Sequence, residues 1–154
     1  MKILIILMLM MKCSIVDARE IYPYGCKPIA LRGEVISIPE GNIRLILFHN
    51  LSSMDLWITP LTQHQVRPMS SRIKSGLWSA LVTDKEPLTL HCIESRPGHE
   101  QHIPCVEGVA ACEWLLAGHP DKPTGLFWGA ENRALSSLTA YLGRQGFVVP
   151  SPAQ

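Results

Sequence analysis

The residues from 88 to 94 alternate between apolar and polar side chains, the pattern of a β-strand with one buried face. Leu88, Leu90 and Cys92 fall on one side of this segment together with Glu94. Other short apolar segments are separated from it by turn residues, with no helical pattern between them, although Ala110 and Ala111 would also suit a helix. The pattern predicts a mainly β chain, folded as an antiparallel β-sandwich. The predicted strands are residues 34–38, 43–49, 55–58, 77–83, 88–94, 106–116 and 126–128.

The connections between these strands carry further expectations. The turn residues 39–42 predict a hairpin that joins the first two strands. Residues 63–74 and 95–102 contain few large apolar side chains and are expected to be surface loops. Near the C-terminus, residues 132–142 have helical spacing, with Asn132 as a possible N-cap and Gly143 and Gly146 at the end. One amphipathic helix should therefore close one side or end of the sheet.

The N-terminus resembles a cleavable secretory signal. Lys2 precedes an apolar run over residues 3–11, and small or branched residues at Val16 and Ala18 suit cleavage after position 18. A retained transmembrane anchor is the weaker alternative, because nine residues are too few to cross a bilayer of about 30 Å. Lipidation at Cys13 is disfavoured by Lys12 before it. We expect residues 19–32 to form an irregular lead-in, 33–150 a single domain, and the mature protein to be periplasmic or secreted.

Removal of the signal leaves four cysteines, Cys26, Cys92, Cys105 and Cys112. An even number in an oxidising compartment predicts two disulfides, with free buried thiols as the alternative. Three connectivities are possible. A hairpin between residues 88–94 and 109–115 would favour Cys92–Cys112 and leave Cys26 for Cys105.

The charge balance limits the classes of partner. Loss of Lys2, Lys12 and Asp17 with the signal lowers the 14 basic and 13 acidic residues to 12 of each. This balance indicates no polyanion-binding surface, so we expect no nucleic-acid partner. Composition also excludes a disordered chain, a collagen-like repeat, a coiled coil and a multi-pass membrane protein. No integral membrane segment is expected after signal removal.

Histidine and cysteine provide weak candidates for a metal site. His91, His99, His102 and Cys105 offer nitrogen and sulfur ligands for zinc or copper. Glycine and proline place them in a loop, however, so their spacing does not bring them together, and Cys105 is better used in a disulfide. We therefore predict no metal and no other cofactor.

A nucleophilic site is the second enzymatic alternative. His49, Ser52, Ser53 and Asp55 lie close in sequence, but no Gly-x-Ser-x-Gly elbow surrounds them. The serines and the aspartate more plausibly form a turn before the next strand. A small secreted metal-dependent or serine hydrolase remains the alternative to a binding protein. Asn50 also begins an N-glycosylation pattern, which matters only in a eukaryotic secretory pathway.

A polar segment between Cys92 and Cys105 is the candidate for recognition. Its members are Arg96, His99, Glu100 and His102, and a disulfide would hold them rigid, which lowers the cost of ordering on binding. The alternative to recognition is a role within the fold, in which Arg96 and Glu94 pair with each other or cap strand ends. The four tryptophans, which are more often core than surface residues in a sandwich, are Trp57, Trp78, Trp114 and Trp128.

Several strings resemble a known family. Residues 77–82, 92–101, 104–105, 127–132 and 146–148 read LWSALV, CIESRPGHEQ, PC, FWGAEN and GFV. They look like the enhanced entry protein B group, small exported proteins of intracellular Gram-negative pathogens, over residues 45–150. The resemblance implies an exported envelope or periplasmic protein connected with entry into host cells, and supplies no catalytic or ligand-binding residues. The leading hypothesis is a non-enzymatic β-sandwich that binds a protein or another envelope component.

Overall fold

The computed structural model describes residues 22–61, 70–115 and 122–152. The predicted signal therefore lies outside the described residues, as do parts of the segments before β5 and β10. The strands are β1 (Lys27–Pro28), β2 (Ile36–Ile38), β3 (Arg44–Asn50), β4 (Asp55–Pro60), β5 (Ser71–Ile73), β6 (Trp78–Val82), β7 (Leu88–Arg96), β8 (His99–Ile103), β9 (Val109–Leu115) and β10 (Phe127–Arg133). The helices are α1 (Cys105–Gly108) and α2 (Leu135–Arg144).

The strands form two antiparallel sheets, which confirms the predicted mainly β architecture. Sheet A has the order β1-β9-β3-β6-β10, and sheet B the order β2-β7-β4-β5 with β8 also paired to β7. Side chains from both sheets meet in an inter-sheet core, where Ile46 and Phe48 of β3 join Leu56 and Ile58 of β4. Because strand side chains alternate, one face of each sheet fills this core.

The other face of sheet A is covered by α2. Leu45 and Leu47 of β3 belong to a second apolar cluster with Leu138 and Leu142 of the helix. Both faces of β3 are therefore buried, which explains its nearly continuous apolar sequence. The helix closes one side of the sandwich, as its amphipathic pattern predicts.

The start of α2 differs from its predicted start. β10 continues through Asn132 to Arg133, and the N-cap position is occupied by Ala134, which makes no side-chain capping bond. The helix ends at Arg144, two residues before Gly146, whose φ of +85° is one that glycine adopts easily. Arg133, which follows Asn132, pairs with Trp78 of β6, so the strand continues past the predicted N-cap.

Both disulfides are present, but the favoured pairing is wrong. Cys26 is bonded to Cys112 and Cys92 to Cys105, with Cα–Cα distances of 5.5 and 5.3 Å. β7 and β9, which carry Cys92 and Cys112, belong to different sheets and are not the arms of one hairpin. Cys112 lies in the cluster under α2, whereas Cys92 lies in the inter-sheet core.

Three local expectations also fail. β2 pairs with β7, and β3 with β6 and β9, so the predicted hairpin between them does not form. The predicted loop 63–74 lies partly outside the described residues, and its part 71–73 is β5. The predicted polar loop 95–102 is instead the tip of the β7–β8 hairpin. In addition, α1 occupies the start of the predicted strand 106–116.

Candidate recognition site on the outer face of sheet B

The candidate recognition residues lie on a two-stranded ribbon closed by a two-residue turn. Arg96 ends β7 and is paired with His99, the first residue of β8. Pro97 and Gly98 connect them, and Gly98 has a φ of +78°. Proline followed by a residue with positive φ is the combination typical of a type II turn. Because Cys92 pairs with Ile103 and is bonded to Cys105, a disulfide closes the other end of the hairpin.

The strand register divides the four predicted recognition residues between two faces. Arg96 and His99 are cross-strand partners and share one face. Glu100 is opposite Ser95 and His102 is opposite Ile93, so these two side chains lie on the other face of the hairpin. The structure therefore brings these residues together in pairs and not as one cluster.

Arg96 is held by Glu94. Its Nε and Nη2 atoms donate hydrogen bonds of 2.9 and 2.8 Å to Oε2 of Glu94. The alternative prediction, that Arg96 and Glu94 pair with each other within the protein, is thus confirmed. Hydrogen bonds from Ser52 and then Arg96 lower the pKa of the Glu94 carboxyl from its ordinary value, against the opposing effect of burial.

Ser52 is part of a turn that leads into β4. Its hydroxyl donates to Oε1 of Glu94 at 2.6 Å and accepts from the backbone N–H of Met54 at 3.0 Å. The buried side chain of Asn50 supports the turn, because its Nδ2 donates to the carbonyls of Met54 and Ile73. The amide nitrogen of the glycosylation pattern is therefore occupied inside the fold.

The other members of the proposed nucleophilic group have separate partners. The His49 ring stacks on Trp78 with centroids 4.4 Å apart, and its Nε2 is 3.2 Å from the carbonyl oxygen of Gly76. Burial lowers the pKa of His49, and the Gly76 hydrogen bond opposes that shift. Asp55 accepts two contacts from Arg72, at 2.9 Å from Nε and 2.6 Å from Nη2. The Ser52 hydroxyl is thus directed at a carboxylate and not at an imidazole.

The face of sheet B away from the inter-sheet core carries an aromatic and polar surface, which we call the outer face. Arg72, Trp57, Ile93 and His102 form a cross-strand row from β5 to β8. The outer face consists of Asp55, Trp57, Thr59, Arg72, His91, Ile93, Ser95, Glu100 and His102. It combines both signs of charge with an indole and two imidazoles.

Trp57 is the fixed centre of this face. Its Nε1 donates to the hydroxyl of Ser95 at 3.0 Å, and the guanidinium of Arg72 lies 5.9 Å from the ring centroid. Arg72 is in turn held by Asp55. The alternating pattern of residues 55–58 could have placed Asp55 and Trp57 on one face, but β5 is too short to reveal Arg72 from the sequence. By contrast, Trp78 and Trp114 are buried, as expected of core residues.

The weak metal candidates are only partly brought together. The rings of His91 and His102 meet edge to face with centroids 5.7 Å apart. His99 lies on the opposite face of the hairpin, and Cys105 is disulfide-bonded. In the described ranges, no three histidine, cysteine or acidic side chains are grouped as metal ligands.

The disulfides indicate an oxidising environment, extracellular or periplasmic. Within the three described ranges, no helix combines the length and apolar character of a membrane span. Comparison with family models, curated proteins and solved structures finds no match to this chain.

Proposed function

We propose that this chain is an exported, non-enzymatic binding protein of the bacterial envelope, and that it recognises its partner through the outer face of sheet B. The observation that carries the proposal is the fixed arrangement of Trp57, Arg72, Asp55 and Ser95 on that face. Tryptophan and arginine are the residues that most often dominate binding energy at protein interfaces.

The geometry favours recognition because the polar groups are already oriented. Ser95 holds the indole, Asp55 holds the guanidinium, and neighbouring strands hold both backbones. A partner would therefore restrict few side chains on binding, so less conformational entropy is lost. The outer face of sheet A is a poorer candidate because α2 covers it.

Export and a role in host-cell entry are further parts of the proposal. Two disulfides support export, and the N-terminal sequence supports removal of a signal after Ala18. The resemblance to the enhanced entry protein B group favours a host-facing role. The strings that carry it include the Cys92-to-Gln101 sequence on the β7–β8 hairpin.

A surface-binding assay tests the proposal. Fluorescently labelled, oxidised protein is titrated onto envelopes of the native bacterium and onto intact host cells. We expect saturable binding to one of them, weakened about tenfold or more by Arg72→Glu and by Trp57→Ala. Ser137→Arg, on the exposed surface of α2, is the matched control and should bind like the wild type. Unsaturable binding, or equal losses in all three variants, would overturn the proposal.

A further inference from the structure

β8 is an edge strand among the strands that the structure describes, because it is hydrogen-bonded to β7 alone. Its first four residues are exposed, and only Ile103 is buried. Proteins usually protect such edges with lysine, proline, a bulge or a covering segment, because unpaired backbone groups can join another strand. Between His99 and Ile103 there is neither lysine nor proline.

The register of the hairpin shows which backbone groups face the open side. Residues that close a two-residue hairpin turn exchange hydrogen bonds, and hydrogen-bonded and non-bonded pairs then alternate along the ribbon. With Arg96 and His99 as the closing pair, Gln101 also bonds to β7. Glu100 and His102 therefore direct their N–H and C=O groups away from β7.

We propose that a second copy of this chain pairs with this edge, β8 to β8 and antiparallel, about a two-fold axis at Gln101. In that register Glu100 of one protomer lies opposite His102 of its partner, and the pair occurs twice. Both residues direct their backbone groups away from β7, so the two pairs form four N–H···O=C bonds. The result is one sheet that continues through both protomers.

Charge complementarity selects this register and this partner. Antiparallel pairing centred on Glu100 would place two carboxylates opposite each other, and pairing centred on His102 would leave Glu100 without an imidazole opposite it. Like charges directly opposite on neighbouring strands are destabilising, whereas opposite charges are favourable. Glu100 and His102 share the outer face, so their side chains meet across the axis on the same side of the joined sheet.

The pairing also sets an imidazole nitrogen of each His102 within reach of a carboxylate of the partner, where the two groups can hydrogen-bond. Within one protomer, the His102 ring meets His91 of β7 edge to face, with centroids 5.7 Å apart. The His91 contact lies on the side of β8 that faces β7, so it leaves the pairing edge accessible.

Sedimentation equilibrium of the oxidised protein over a range of concentrations tests the inference. We expect a reversible dimer. Glu100→Lys and His102→Glu should each weaken it about tenfold, because the first removes the carboxylate opposite each imidazole and the second places carboxylates opposite each other. The double variant E100K/H102E restores opposite charges and should restore the dimer. Glu86→Lys, in an exposed bend between β6 and β7, is the charge-matched control.

A cysteine variant tests the register itself. The two Gln101 residues form a non-bonded pair with Cα atoms about 4.5 Å apart, a separation that a disulfide can bridge. Gln101→Cys should give a covalent dimer under mild oxidation, with both native disulfides intact by peptide mapping, whereas Ser137→Cys should not. A wild-type protein that stays monomeric, or a dimer that is indifferent to E100K and does not cross-link through Gln101→Cys, would overturn the inference. These readouts need no binding partner, so they are independent of the proposed function.

Discussion

The hydroxyl of Ser52 donates a 2.6 Å hydrogen bond to Oε1 of Glu94, although 42 residues separate the two in the chain. The bond runs from the turn that follows β3 to a residue of β7. It therefore connects the end of a sheet A strand with a strand of sheet B. The side chain of Glu94 is buried, and it also forms an ion pair with Arg96. Burial of a charged carboxylate lowers the stability of the fold unless hydrogen bonds replace the lost contact with water.

Ser52→Ala should destabilise the protein by about 1–3 kcal/mol, because it removes a hydrogen bond to a charged, buried acceptor. Urea unfolding of the oxidised protein at pH 7 measures the change in the free energy of unfolding. Ser53→Ala is the control, since Ser53 is exposed and adjacent. Equal stability of the two variants would show that the Ser52–Glu94 bond contributes nothing.

Glu94 should make stability depend on acid pH. Its pKa is lowered in the folded protein from the ordinary value of 4.5, first by Ser52 and then by Arg96. Its contribution is therefore complete above pH 4.5 and is lost as the pH falls through the folded pKa. The difference in unfolding free energy between the wild type and Glu94→Gln should be constant from pH 7 to 5 and shrink below 4.5. A difference that does not vary with pH would contradict this.

His49 should make stability depend on pH in the neutral range. Here the pKa is shifted by burial and not, as for Glu94, by hydrogen bonds. Burial lowers its pKa below the ordinary value of 6.5, so the unfolded chain takes up a proton more readily than the folded protein. Stability from the neutral ring is complete above pH 6.5 and declines as the pH falls below that value. His49→Phe, which keeps a ring on Trp78, should lose less stability than the wild type between pH 7.5 and 5.5. An NMR titration of the His49 ring at or above 6.5 would refute the assignment.

Gly108 lies against the terminal methyl group of the buried Ile103 side chain. A Cβ at position 108 would lie 2.5 Å from Cδ1 of Ile103, in a buried part of the structure. Gly108→Ala should therefore cost about 1–3 kcal/mol through overpacking. Ile103→Val removes the clashing methyl group, so the double variant should be more stable than the sum of the two single changes. If denaturant unfolding shows that the two changes in the free energy of unfolding are additive, contact with the Ile103 methyl group is not the cause of the destabilisation.

Strand positions were predictable from the sequence more often than strand partners. The alternation of residues 88–94 identifies the inward side of β7, and the apolar run of residues 43–49 identifies a strand buried on both faces. Neither pattern says which strand lies alongside. β2 and β3 are neighbours in the chain but belong to opposite sheets. The wrong cysteine pairing follows from the same limit, because connectivity depends on which sheet each strand joins.

The candidate site shows a second limit. β8 reads as a loop because an edge strand with exposed side chains on both faces has no apolar alternation to reveal it. β5 contributes Arg72 from three residues, which is too short for a periodic signal. The Arg96–Glu94 pair was predictable as a local alternative, since residues that are two positions apart in a strand lie on the same face. The contact with Ser52 is not local and needed the fold.

The two disulfides are nested, because the Cys92–Cys105 loop lies within the segment that Cys26–Cys112 closes. Cys26 is the first of the four cysteines to be synthesised, yet its partner, Cys112, is the last, 86 residues later. When Cys92 emerges, the one earlier cysteine of the four is Cys26, and a bond between them would have to be exchanged. Cys105, the native partner of Cys92, follows 13 residues later. If the cysteines are oxidised in chain order, the native pairs therefore form directly only when Cys26 stays reduced until Cys112 is available; an early Cys26–Cys92 bond must otherwise be exchanged.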